Sequence, residues 1–125
     1  YKMALKGESI TADSINRWFN SEYLKMNTDV YNYFYNILEK KSIDNFLPAY
    51  KLFVESDDYS LDFSNFHTPT LIMTGENEIG STPEMSKLLN QEIKNSELYI
   101  IPKAKHMVTF EKANLVNIAI SKFIS

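Results

Sequence analysis

The 125 residues suffice for one domain of ordinary size, and 44% of them are hydrophobic, with aromatics at 14%. That much apolar surface can offset the entropy of ordering the chain, so disorder is not expected. A net charge of -3 without a basic block excludes the clustered Lys and Arg that a nucleic-acid site needs, and the absence of cysteine excludes disulfides, thiolate zinc sites and cysteine nucleophiles.

No apolar run approaches the roughly 20 residues that would cross a bilayer, and the first ten residues lack the apolar core of a signal peptide. A cytoplasmic location is the expectation, with which the lack of cysteine is compatible. The chain opens on Tyr rather than Met, which hints at a piece of a longer protein.

In chain order, Ile15, Trp18, Phe19 and Tyr23 recur at helical spacing, with Thr11 or Asp13 as the cap. A second helix is expected over TDVYNYFYNILEK, with Val30, Phe34, Ile37 and Leu38 on one face, Tyr31 and Tyr35 flanking it, and Thr28 or Asp29 capping it. The stretch SIDNFLPAYKLFVESD contributes Ile43, Phe46, Leu47, Tyr50, Phe53 and Val54. Pro48 lacks an N–H and disfavours helix just before it, so a short helical turn and then a new helix from about residue 48 are predicted.

The pattern changes near residue 65. Thr70-Leu71-Ile72-Met73-Thr74 is a continuous apolar run between Pro69 and Gly75, as suits a buried parallel strand. The loop GENEIGST leads to Pro83 at the first turn of a helix whose inner face is Met85, Leu88, Leu89 and Ile93. Leu98 to Ile101 is a second strand, ended by Pro102. A last helix is predicted over 112–124, with Ala113, Val116, Ala119, Ile120, Phe123 and Ile124 inward. Strand, helix, strand and helix at this spacing make a β-α-β-α unit with parallel strands. Two parallel strands need neighbours and cover, so the unit is expected to be part of a larger sheet.

Functional side chains of open α/β sheets gather beyond the carboxyl ends of the strands. Glu78 follows the first strand and His106 the second, so both fall on one rim. There a carboxylate can hold the imidazole tautomer and stabilise the imidazolium formed when the ring acts as a base.

The stretch PTLIMTGENEIGSTPEMSKLLNQEIKNSELYIIPKAKHMVTFEKANLVNIAISKFI closely resembles the end of an α/β-hydrolase. In that family a P-T-L-hydrophobic strand leads to G-E-x-D, and a second strand ends in I-P-x-A-x-H before a terminal V-N-x-x-I-x-x-F helix. Gly75, Glu76, Gly80, Pro83, Pro102, Ala104, His106, Glu111, Val116, Asn117 and Phe123 match in order and spacing. The resemblance implies His106 as catalytic base and Glu78 at the acid position, where Asp is usual. Glu can serve there, provided that the longer side chain folds back; neighbouring Glu76 is read as structural.

The family nucleophile lies on a G-x-S-x-G turn before the acid and the histidine. Gly7, Gly75 and Gly80 make no such motif. The nearest approach, Gly7-Glu8-Ser9-Ile10-Thr11, lacks the second glycine and a preceding strand. Residues 1–65 are expected to be a helical cap or lid region, and 66–125 the C-terminal part of the hydrolase core. Arg17-Trp18-Phe19 and Pro48-Ala49-Tyr50 are similar to caps of the 3-oxoadipate enol-lactonase-like branch. That resemblance implies Trp18, Phe19, Tyr50 and Phe53 as candidates to line an apolar acyl pocket, with packing between cap helices as the alternative.

The fold class expected is therefore α/β, a C-terminal fragment of an α/β-hydrolase in which a helical cap precedes a β-α-β-α unit of the parallel core sheet. The function implied is that of a serine hydrolase acting on an ester, lactone or related bond. It would be inactive in this chain alone, and it calls for no metal or other cofactor. Its partners would be a small ester or lactone substrate and, through the exposed sheet edge, another copy of the chain; no nucleic acid or membrane is implied. The alternatives are a non-enzymatic helical interaction module and a hydrolase-fold relative that has lost catalysis.

Overall fold

The computed structural model describes residues 9–41, 43–56, 61–63 and 65–125. Gly7 and Glu8, and the side chain of Ile43, on which sequence expectations fell, lie outside the described residues.

Among the described residues four helices come first: α1 (Thr11–Trp18), α2 (Ser21–Met26), α3 (Thr28–Glu39) and α4 (Ile43–Glu55). A parallel pair, β1 (Thr70–Gly75) and β2 (Ser96–Ile101), encloses α5 (Pro83–Glu92) in sequence. The short α6 (Val108–Glu111) and then α7 (Ala113–Ile124) complete the chain. The architecture is thus mixed α and β. Thr70 lies opposite Ser96, and the register runs to Gly75 opposite Ile101.

Among the described residues two apolar clusters hold α1 to α3 on the one hand and β1, β2, α6 and α7 on the other. In the first, Ile15, Phe19 and Leu24 from α1, its C-terminus and α2 are buried against Trp18, Tyr23, Val30, Tyr31, Phe34 and Leu38. Phe19 is fully enclosed, with its ring 5.2 Å from Phe34 and 5.7 Å from Tyr23. Burying a side chain of that size contributes about 2–3 kcal/mol. In the second, Ile101, Ala104 and Val116 pack with Met73, Tyr99, Val108 and Leu115. Met107 joins them: its side chain packs on the first cluster while its residue follows β2 by six positions.

Several expectations are corrected. Pro48 lies inside α4 rather than at the start of a new helix. One missing N–H costs one intrahelical bond, and here the aromatic stripe bridges it. Phe46, before the proline, meets Tyr50 in a tilted ring contact at 5.0 Å, and Tyr50 stacks on Phe53 at 6.5 Å. Neither Thr11 nor Asp13 caps α1, whose N-cap is Ile10 with no side-chain bond. The N-cap of α3 is Asn27, not Thr28 or Asp29, and its amide donates instead to the Tyr23 carbonyl. Ile37 is exposed, because α3 meets α1 and α2 along Val30, Phe34 and Leu38.

In α5 the face toward the strands carries Ser86, Leu89 and Ile93, and Met85 and Leu88 point outward. A small buried serine lets the helix approach the sheet, which rotates the two larger side chains away. In α7, Val116 is buried and Ala119 and Phe123 are half-buried, but Ala113, Ile120 and Ile124 are exposed. Two strands offer too narrow a floor to cover so broad an apolar stripe. As predicted, Pro83 opens α5, and Thr82 caps it by accepting from Met85 N–H. No helix among the described residues is long and apolar enough to cross a membrane.

Candidate active site

The parallel pairing continues past the ends of both strands. Glu76 N–H donates to the Ile101 carbonyl at 2.9 Å and Asn77 N–H to the Ala104 carbonyl at 2.8 Å. The loops bearing Glu78 and His106 are thereby sewn together. Gly75 permits this approach, since a Cβ there would lie 2.3 Å from the Ala104 oxygen. The turn after β2 needs Lys103 at a left-handed φ of 52°, a cost of about 1 kcal/mol. The Glu76 carboxylate accepts from Lys103 N–H at 2.9 Å and steadies that turn.

Glu78 lies on the β1 loop, 8% exposed. Its Oε2 is 2.7 Å from His106 Nδ1, and its Oε1 accepts from Gly80 N–H at 2.6 Å. The longer glutamate is folded back by that second bond. A buried ionised carboxylate needs such partners. It can only accept, so a neutral His106 ring carries its proton on Nδ1 and leaves the Nε2 lone pair open. With 51% of its side chain exposed, the ring has that lone pair available to a reacting group.

The helical half holds the histidine from the other side. Trp18 stacks on His106 with ring centroids 6.4 Å apart and planes at 28°. Met107 N–H donates to the Trp18 carbonyl at 2.9 Å. Glu111, buried, accepts from Asn20 N–H at 2.7 Å and from Lys105 N–H at 2.6 Å, so one carboxylate ties α2's N-terminus to the histidine loop. Asn20 also donates to the Lys103 carbonyl, and Lys105 Nζ to the Asn16 carbonyl.

Of the other expected residues, Phe19 is buried in the first apolar cluster with no open surface, so it cannot line a pocket. Tyr50 and Phe53 stack on each other along α4, with Phe53 exposed. Ser9 Oγ donates to Glu39 at 3.2 Å and lies within 3.5 Å of Thr11 N–H. Among the described residues, no group of three or more His, Cys, Asp or Glu side chains is placed to hold a metal ion. Two open grooves, about 400 Å³ along residues 117–125 and about 340 Å³ between β2 and α7, have linings that include neither Glu78 nor His106.

Sequence reasoning passed over the structural role of Glu111, although its five-residue distance from His106 was visible. It used Arg17 only as part of the cap resemblance and gave it no role in the site. A methyl carbon built on Gly80 would lie 3.2 Å from Glu78 Oε1 and 3.5 Å from the Arg17 guanidinium.

No protein-family model matches the chain, and no solved structure matches it significantly. Two curated proteins do. Over 59 residues, 47% of this chain and 21% of the relative, it is 37% identical to the proline iminopeptidase PfmaB of Pestalotiopsis fici. Over 112 residues, 88% of this chain and 41% of the relative, it is 27% identical to the (E)-2-((N-methylformamido)methylene)succinate hydrolase of Acinetobacter baylyi. The chain spans less than half the length of either relative. Both are hydrolases by name.

Proposed function

We propose that this chain is the acid- and histidine-bearing C-terminal part of an α/β-hydrolase, whose nucleophilic serine comes from residues outside these 125. The observation that carries the reading is the 2.7 Å contact between Glu78 and His106 Nδ1, with Nε2 left open. The similarity to two hydrolases supports it.

In the assembled site His106 Nε2 takes the proton of the serine hydroxyl as its oxygen bonds to the substrate carbonyl carbon. Glu78 stabilises the imidazolium so formed. The same proton passes from Nε2 to the leaving group as the old bond to carbon breaks. Water then attacks the acyl-serine by the reverse sequence, giving the acid and free serine. The substrate class is an ester, lactone or related carboxyl derivative. The region 1–65 serves as the cap or lid, with its Trp18 bordering the histidine.

The test is the coding sequence upstream of Tyr1, followed by ester hydrolysis by the protein that it encodes. A G-x-S-x-G motif, activity in that longer protein, and its loss in His106→Ala are expected. The 125-residue chain alone should release no p-nitrophenol from p-nitrophenyl butyrate. An upstream sequence without the motif, or a His106→Ala variant of full activity, would overturn the assignment.

A further inference from the structure

We propose that Arg17 is a specificity residue that binds a carboxylate carried by the substrate, beside the acid–histidine pair. The inference rests on the hydrolase reading for the word substrate, but the anion subsite itself lies wholly on this chain. Arg17 sits in the last turn of α1, next to the tryptophan that stacks on His106. Its guanidinium reaches the loop of the acid, at the point beside Gly80 where a methyl carbon would meet both groups.

The carboxylates on the facing loops are already engaged. Glu76 accepts from Lys103 N–H, Glu78 from Gly80 N–H and against His106, and Glu111 from Asn20 and Lys105 N–H. Nearby Lys105 is spent on the Asn16 carbonyl. Arg17 makes no ion pair and no hydrogen bond with any described residue, and it is exposed. An unpaired guanidinium offers a planar fork matched to a carboxylate. Its backbone belongs to the helix whose C-terminal end docks on the histidine loop, so the exposed side chain extends from a fixed point beside the acid.

Trp18 is the chain's single tryptophan, so its fluorescence reports on this spot alone. The full chain is titrated with 3-phenylpropionate and, separately, with its neutral isostere 3-phenylpropanamide, at constant ionic strength. His106 ring resonances are followed by NMR alongside the Trp18 signal. We expect saturable shifts with the acid, at least tenfold weaker binding of the amide, loss of that preference in Arg17→Gln, and its partial return in Arg17→Lys. The variants' far-UV spectra should match the wild type, because the side chain is exposed and unpartnered.

Equal affinity for acid and amide would overturn the proposal. So would undiminished acid binding by Arg17→Gln, or no binding of either probe. None of these outcomes bears on the serine, which is judged by the upstream motif and by ester hydrolysis. The two readings therefore fail separately.

Discussion

Glu78 is placed so that each of its oxygens has a distinct task, and removing its charge separates them. In Glu78→Gln an amide oxygen can still accept from Gly80 N–H, but the charged partner of His106 is gone. The expected result is loss of the downfield Nδ1 proton resonance of His106 and a fall of about 1 kcal/mol in unfolding free energy by urea titration, modest because the ring is half-exposed. Tyr23 gives a second test at this scale. Burial, then the neighbouring Glu111 and Asp29 carboxylates, push its phenol above its ordinary value of 10.0. The unfolded chain then loses this proton first, so the contribution is fully present below pH 10 and is lost as pH rises through the folded value. Tyr23→Phe should flatten the alkaline limb of stability against pH; an unchanged slope would show that Tyr23 does not set it.

The elements follow the same logic at longer range, and Gly75 and Glu111 are where it can be broken. Gly75→Ala would drive a Cβ into the backbone of Ala104 and Lys105, which cannot swing aside as a side chain could. Its cost is expected at about 3 kcal/mol, read as a lower urea midpoint with an unchanged slope. Glu111→Ala strands the N–H groups of Asn20 and Lys105, for about 3 kcal/mol, and should speed hydrogen exchange at those two amides; Glu111→Gln should fall between. These two residues also show what was legible in advance. The two strands, their parallel order, Pro83 and the rim shared by Glu78 and His106 could be read, because apolar runs and punctuating Pro and Gly are local signals. The docking of α1 and α2 on the histidine loop could not. It is carried largely by backbone groups and by polar side chains that bond to them, Glu111 above all, and contacts between residues some 90 positions apart leave no periodicity. The caps failed for a related reason: Thr11, Asp13, Thr28 and Asp29 were all chemically able, and the helix starts were decided by packing around Phe19.

For the whole molecule, the outward-facing apolar residues of α5 and α7 are one observation with the two-stranded sheet. The inner faces of both helices were predicted from an apolar stripe wider than two strands can cover, and Met85, Leu88, Ile120 and Ile124 are what is left over. Among the described residues the sheet has β1 and β2 alone, so each strand keeps an outer row of backbone donors and acceptors without a strand neighbour. Parallel pairs gain stability from further strands and from cover on both faces. We propose that the isolated chain pairs with a second copy of itself through this exposed edge. The measured mass in light scattering is then expected to rise with concentration from monomer toward dimer. Adding charge at the exposed side of the unit, as in Leu88→Lys with Ile120→Lys, should weaken that association while leaving the Glu78–His106 resonance in place. The two effects can be separated because the pair is held by loop-to-loop backbone bonds and by α1, not by the open side of α5 or α7. A monodisperse monomer at high concentration would refute self-association, and loss of the histidine resonance with the charge substitutions would show that the site depends on the face left open.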